Sequence, residues 1–245
     1  MEETTKKITR RKALGMLAAV GAATVVGCSS ANVSGTSGSG TTTTTGSSSS
    51  ASCVLTPELT IGPYFVDENL NRSDLTTNTS DANVTQGVPL SLQMTIVKFT
   101  STGCNALQGA RVDVWHADAG GVYSDEAVEN TVGQTYLRGY QITDANGQVT
   151  FKTIYPGWYS GRTVHIHVMV RTFSSPGAVA SETTTQLFFD DTLTDQIFAN
   201  APYNSRGQRN TRNSQDNIYN SATQLSLQSS RSGYAGAITI GIQTA

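Results

Sequence analysis

Short segments in which apolar and polar residues alternate recur along the chain from residue 90 onward, and they restrict the fold more than any other feature. Such alternation gives a strand one face for a core and one for solvent. Asn146-Gly147 joins two of these segments with a dipeptide typical of a tight β-hairpin. The predicted strands are residues 90–99, 110–115, 136–143, 148–154, a segment with His165 and His167, 184–189 and 235–242. Because no long amphipathic helix interrupts them, we predict an all-β fold, an antiparallel β-sandwich with long loops, of which 191–233 is the longest.

Residues 1–28 have the pattern of an export signal. Arg10-Arg11 lies in a positively charged start, an apolar run at 13–26 follows, and Cys28 comes almost directly after it. That run is too short to span a bilayer permanently. We therefore predict a twin-arginine or lipoprotein-type signal with Cys28 as the lipidated residue, the alternative being an ordinary secretory leader with an incidental cysteine. The expected location is the bacterial periplasm or cell surface, with contact to a membrane only through this N-terminal lipid anchor.

The rest of the chain divides into a linker and one domain. Residues 29–52 are almost all Ser, Thr and Gly, a composition that predicts a flexible tether. Residues 53–245 have the size of a single domain. Charged residues make up 14% of the chain and the net charge is −2, and no basic patch follows the first dozen residues. We therefore expect no nucleic-acid partner.

The cysteine count predicts one disulfide. If Cys28 is lipidated, Cys53 and Cys104 remain in an oxidising compartment. Their pairing would stabilise the fold by about 4 kcal/mol by restricting the unfolded chain. Two buried free thiols are the alternative.

His165 and His167 are the first candidates for chemistry. They lie two apart on a predicted strand, so both imidazoles face the same side. The break at Pro156-Gly157 would deliver Tyr159 and Arg162 to the same end of that strand. These side chains together indicate a metal site, although a His-x-His strand also occurs in zinc and copper sites and in strands with no ligand. A third histidine, His116, is either a ligand or a hydrogen-bonding partner beside a buried Trp.

Six blocks of residues, in order along the chain, carry a resemblance to a known family. The blocks are Thr56-Pro57-Glu58 with Gly62-Pro63-Tyr64; Trp115-His116-Ala117-Asp118 with Gly121-Val122-Tyr123-Ser124; Arg138-Gly139; Thr143-Asp144 with Gly147; Pro156-Gly157-Trp158-Tyr159 with Arg162 and His165-Ile166-His167; and Thr185-Gln186-Leu187-Phe188-Phe189. Together they resemble the intradiol ring-cleavage dioxygenases, the protocatechuate and catechol dioxygenase family, and especially its secreted single-domain branch.

The resemblance implies an immunoglobulin-like or transthyretin-like sandwich that holds one mononuclear non-haem Fe(III) ion. Its implied ligands are Tyr123, Tyr159, His165 and His167. Tyr159 is then the ligand that leaves and takes a substrate proton, Arg162 stabilises negative charge on the substrate, and Gln186 lies near the site of reaction with oxygen. Residues Gly62, Pro63 and Tyr64 are implied to wall the substrate pocket. The residue types agree with iron, because phenolates at neutral pH need a strongly Lewis-acidic cation.

The function implied by the resemblance is cleavage of catechol-type rings by O2 to cis,cis-muconate-type diacids. A non-catalytic module that binds a metal or an aromatic ligand at the cell surface is the main alternative, and a zinc or copper protein is a third. Only Ser160-Gly161 separates Tyr159 from Arg162, where the catabolic enzymes have a longer loop. The substrate is therefore expected to be a small catecholic aromatic of undetermined identity, and an oligomer stays open.

Overall fold

The computed structural model describes residues 54–244. The predicted signal (1–28), the lipidation site Cys28, the linker (29–52) and Cys53 lie outside these residues. The strands of the described chain are β1 (Pro89–Thr100), β2 (Gly103–Ala106), β3 (Arg111–Trp115), β4 (Arg138–Ile142), β5 (Gln148–Ile154), β6 (His165–Ser175), β7 (Ala178–Phe188), β8 (Leu227–Ser230) and β9 (Gly233–Ile242), with one helix, α1 (Asp191–Phe198), before β8. Short 3-10 helices cover Ala127–Glu129, Tyr203–Arg206, Asn213–Gln215 and Ser221–Thr223. Within this part of the chain, no helix is long and apolar enough to cross a membrane.

Two sheets form the sandwich. In the first, β9 pairs with one edge of β1, β5 and β2 share the other edge, and β8 pairs with β9. The second sheet has the order β4-β3-β6-β7. Alternate residues of β1, such as Leu92 and Met94, are fully buried in the core between the sheets. The prediction of an all-β sandwich is therefore confirmed.

Several details differ from the expected antiparallel sandwich with long loops. The short strands β2 and β8 are absent from the predicted set, and β8 lies in the stretch expected to be a loop. β1 and β9 run parallel, an arrangement that needs a long connection and that their separation in the sequence permits. The stretch at 191–233 contains α1, which begins after Asp190, whose side chain accepts a hydrogen bond from Leu193 N. α1 has eight residues and buries only Thr194, Ile197 and Phe198. A helix this short shows too little periodicity to be detected in the sequence.

The second sheet is buried on both faces. Residues Ile166, Val168 and Val170 of β6 contribute to the core of the sandwich. Met169, on the opposite face, packs in a second cluster with Trp115, Ala117 and Tyr123. The segment of residues 54–69, which we call the arm, covers this second face. It is anchored by hydrogen bonds such as that from Leu59 N to Thr184 O (2.8 Å). The arm encloses the side chains that the sequence singled out.

Candidate metal centre

His165 and His167 of β6 direct their Nε2 atoms, the nitrogens available to bind a metal, toward each other. His165 pairs with Phe188 of β7, and His167 lies between Trp115 of β3 and Gln186 of β7. The two Nε2 atoms are 3.1 Å apart, and both rings are buried. The ring of His167 stacks on Trp115 with a centroid distance of 4.8 Å. Packing on this face thus holds both rings with Nε2 pointing to one place.

Both histidines are neutral at pH 7. Burial lowers the pKa of His165 to about 3 and lowers the pKa of His167 well below its ordinary value. His165 Nδ1 is 2.6 Å from the carbonyl oxygen of Thr163, which can only accept a hydrogen bond. His165 therefore carries its proton on Nδ1 and leaves the lone pair of Nε2 toward His167. A neutral imidazole held by a second hydrogen bond is the form that typically binds metals, and His165 has this arrangement. His167 Nδ1, in contrast, is buried without a hydrogen-bond partner among the described residues.

Two tyrosines complete the cluster. Tyr159 Oη lies 3.1 Å from His165 Nε2. The ring of Tyr123 is 5.7 Å from that of Tyr159 and 6.3 Å from that of His167, between centroids. Tyr123 Oη is buried and has no hydrogen-bond partner among the described residues. Such a buried polar atom costs about 1–3 kcal/mol when it is unpaired, so its position indicates a ligand.

Burial raises the pKa of both phenols. The pKa of Tyr123 lies well above 10, from burial and then from the neighbouring Tyr159, and burial also raises the pKa of Tyr159. Neither tyrosine would ionise at neutral pH without a nearby cation of high charge. Two neutral imidazoles and two phenols that need a cation fit a ferric ion. Among the described residues there is no group of three or more His, Cys, Asp or Glu side chains placed to hold a metal.

Close packing of two loops brings the tyrosines together. Gly121, at φ +78°, precedes Tyr123, and a Cβ there would lie 1.9 Å from the carbonyl oxygen of Trp158, the residue before Tyr159. Gly157 N donates a hydrogen bond of 2.9 Å to Asp118 O in the opposite direction. A Cβ at Gly157 would lie 2.3 Å from the same Asp118 oxygen, so both glycines are required for the approach of the two backbones.

Arg162 is held by Gln186, which the sequence singled out, and by Asp216, which no sequence motif indicated. Its Nη2 donates to Gln186 Oε1 at 2.5 Å, and Gln186 Nε2 donates to Thr60 O in the arm at 2.8 Å. Its Nε donates to Asp216 Oδ2 at 2.9 Å. Asp216 belongs to a polar segment without a motif, 54 residues further along the chain, so only the tertiary structure identifies it.

The arm places the three predicted pocket residues beside the cluster. Gly62, at φ +73°, lies so close to His167 that a Cβ would be 3.0 Å from its Cε1. Pro63 follows in an exposed turn, and the ring of Tyr64 stacks on Tyr123 with centroids 4.4 Å apart. The buried Arg138, to which the family resemblance assigns no role, donates a hydrogen bond of 2.6 Å to Tyr64 O. The arm is thereby placed as a wall over the cluster.

Arg138 also holds the loop that carries Tyr123. Its Nη2 donates to Ser124 O at 2.6 Å and its Nε donates to Ser124 Oγ at 2.9 Å. One guanidinium therefore links the arm to the residue after Tyr123.

His116 takes no part in the cluster. Its Nε2 lies 2.7 Å from Thr153 Oγ1 and its Nδ1 lies 2.9 Å from Ala117 O, and burial lowers its pKa to about 4. Both nitrogens are occupied, so of the two interpretations the hydrogen-bonding one agrees with the structure. Cys104 is disulfide-bonded; because Cys53 lies outside the described residues, the Cys53–Cys104 pairing stays a prediction.

Comparison with known proteins shows that the chain is similar to ring-cleaving dioxygenases. A family model described as a dioxygenase matches residues 60–224. An intradiol ring-cleavage dioxygenase from Tetranychus urticae is 30% identical, with 78% of this chain and 95% of that chain covered and a TM-score of 0.64. The dioxygenase domain of a dioxygenase and carbohydrate-binding protein fusion from Streptomyces sp. SirexAA-E is 31% identical, with 78% and 100% covered and a TM-score of 0.57. At 21% identity, 3-chlorocatechol 1,2-dioxygenase from Rhodococcus opacus 1CP shares the fold, with 78% and 73% covered and a TM-score of 0.55. The matched region includes every residue of the candidate metal centre.

Proposed function

Because the chain belongs to the intradiol ring-cleavage dioxygenases, and is thus an oxidoreductase, we propose that it uses one non-haem Fe(III) ion to cleave a catechol-type ring with O2. Both oxygen atoms would enter the product, a cis,cis-muconate-type diacid, as the bond between the two hydroxyl-bearing carbons breaks. The observation that carries the proposal is the cluster of two facing imidazole nitrogens, the partly exposed phenol of Tyr159 and the buried phenol of Tyr123, which has no hydrogen-bond partner among the described residues.

The proposed iron ligands are Tyr123, Tyr159, His165 and His167. When bound, Fe(III) would stabilise the tyrosines as phenolates and draw electron density from a bound catecholate. Tyr123 is fully buried, whereas Tyr159 is partly exposed. This difference in burial makes Tyr159 the more accessible of the two phenols, and we assign its Oη to accept a proton from an incoming catechol hydroxyl.

The remaining side chains act on the substrate. Arg162 has one nitrogen, Nη1, without a hydrogen bond to a described residue, and we assign it to stabilise negative charge that develops on the ring and its oxygens. Tyr64 would pack against the aromatic ring, and Gly62 leaves space beside His167. Gln186 orients Arg162 through its amide oxygen. These contacts favour an enzyme over a module that only binds a metal or an aromatic ligand.

Oxygen uptake with a panel of catechols tests the proposal. We expect uptake by the wild type, and loss of at least about 100-fold in Tyr159→Phe and His167→Ala because each removes a proposed ligand. Tyr234→Phe, a partly buried tyrosine of β9 in the other sheet, is the matched control and should keep wild-type activity. Bound iron with a red tyrosinate charge-transfer colour but no uptake would favour the binding module. Unchanged uptake in His167→Ala would contradict the mechanism.

We further propose that the protein is exported and held to a membrane through lipidated Cys28. Membrane fractionation of the wild type and Cys28→Ser in the host cell tests this: the variant should leave the membrane fraction. The Cys53–Cys104 disulfide can be tested by mass spectrometry of peptides from the non-reduced protein, in which the two cysteine peptides should be joined.

A further inference from the structure

The buried carboxylate of Asp216 meets Arg162 at the edge of the candidate centre. We propose that Asp216 is a positioning residue, which holds the guanidinium of Arg162 so that Nη1 is directed to the substrate. The inference rests on the proposed function, since it concerns how the proposed charge-stabilising group is oriented.

Three donors fix the carboxylate of Asp216. Its Oδ2 accepts hydrogen bonds from Arg162 Nε and from Thr163 N, both at 2.9 Å, and its Oδ1 accepts from Ile218 N at 2.8 Å. The side chain is 2% exposed. Burial raises the pKa of Asp216, but the hydrogen bonds from Ile218, Thr163 and Arg162 outweigh burial, so the pKa lies below its ordinary value. The group is therefore a carboxylate of fixed orientation at neutral pH.

The segment that carries Asp216 is itself tied to the histidine strand. Asn213 Oδ1 accepts a hydrogen bond from Thr163 Oγ1 at 2.6 Å, and Asn213 Nδ2 donates to Phe189 O at 2.8 Å. Thr163 O in turn accepts from Nδ1 of His165. The carboxylate is thus anchored to the residues directly before the proposed ligands.

Two hydrogen-bond partners are needed to fix the orientation of the Arg162 guanidinium. Gln186 holds Nη2 and Asp216 holds Nε, which leaves Nη1 without a hydrogen bond to a described residue. An arginine side chain carries about 2 kcal/mol of rotamer entropy, so one partner alone would leave the planar group free to rotate about its contact. The charge-assisted bond from Asp216 removes this freedom before substrate binds.

A double-mutant cycle of Asp216 and Arg162 tests the proposal. We expect Asp216→Ala to lower kcat/KM for a catechol by about tenfold or more, with iron content and resting colour close to those of the wild type. Its melting temperature should fall, because three donors lose their buried acceptor. In an Arg162→Ala background, Asp216→Ala should have almost no further effect, because the group that it positions is gone. A merely structural aspartate would reduce activity by the same factor in both backgrounds. That additive result would overturn the proposal.

A second readout avoids turnover. 4-Nitrocatechol, titrated without oxygen and followed by its visible spectrum, should bind about tenfold more weakly to Asp216→Asn than to the wild type, because the isosteric amide lacks the charge that aligns the guanidinium. Unchanged affinity and unchanged kcat/KM in Asp216→Asn would also contradict the inference. If Asp216→Ala fails to fold, the asparagine variant is used in the same cycle.

The matched control is Asp195→Asn. Asp195 also pairs with arginines, Arg209 and Arg212, but on the surface of α1, and its loss should leave catechol binding and turnover at wild-type values. If the wild type consumes no oxygen with any catechol, the proposed function fails and the positioning role fails with it. If the wild type is active and the cycle is additive, only the role of Asp216 fails.

Discussion

Gly121 lies where the loops that carry Tyr123 and Tyr159 meet, and replacing it by alanine tests how the two tyrosines are held. Its φ of +78° is left-handed, and a Cβ would lie 1.9 Å from Trp158 O and 2.8 Å from Trp158 C. Real Cβ atoms do not approach another atom within 3.0 Å, so the two loops would have to separate by about 1 Å. Tyr123 and Tyr159 would move apart with them.

Two costs add in Gly121→Ala. The left-handed backbone costs about 1–2 kcal/mol for a residue with a Cβ. Steric overlap with a backbone carbonyl adds about 1–3 kcal/mol, the usual range for an overpacked site. We expect the free energy of unfolding to fall by about 2–5 kcal/mol in total. The displacement of about 1 Å should reduce turnover by about 100-fold or more.

Gly133→Ala separates the two costs. Gly133 has φ +80°, but a Cβ there would meet nothing within 4 Å, so only the backbone cost of about 1–2 kcal/mol is expected. Urea denaturation gives the stability of both variants, and the visible tyrosinate–iron absorption with oxygen uptake reports on the centre. If Gly121→Ala loses no more stability than Gly133→Ala and keeps its colour, then loop contact does not position the tyrosines.

Three further predictions follow from single contacts. His116→Ala should lower the free energy of unfolding by about 1–3 kcal/mol, because two buried hydrogen bonds are lost, yet iron content measured by mass spectrometry should not change. Burial raises the pKa of Asp67, but its hydrogen bonds to Arg171 and Arg111 outweigh burial, so the pKa lies below its ordinary value. The Asp67 carboxylate therefore stabilises the fold above the unfolded-state pKa of about 4. This stabilisation is lost as the pH falls through the lower pKa of the folded state. Acid titration of stability should show a shallower decline for Asp67→Asn, and an identical decline would contradict the pairing. Gly62→Ala should weaken iron binding in a chelator competition assay, because its Cβ would press on the second imidazole of β6, whereas an unchanged iron affinity would mean that the arm yields without moving the ring.

Several features could be predicted from local sequence alone. Alternation in β1 and the Asn-Gly turn before β5 depend only on the period of two and on turn chemistry, and both strands lie within one residue of the predicted bounds. The shared side of His165 and His167 follows from the same period, and the structure puts their Nε2 atoms 3.1 Å apart. The ordered blocks of residues identified the family, which the comparisons confirm.

Contacts between residues far apart in the chain were decided only by the tertiary structure. The parallel pairing of β1 with β9 joins the two ends of the domain, and no periodicity within a strand specifies its partner. Asp216 meets Arg162 from a polar segment, and the buried Arg138 joins the arm to the Tyr123 loop. Each of these contacts joins residues far apart in the chain, and an isolated aspartate or arginine has the same sequence signature in solvent as in a buried pair. The sequence by itself therefore determined most of the strands and the types of donor, whereas the distances among the donors and the groups that orient them arise only when the two sheets and the arm pack together.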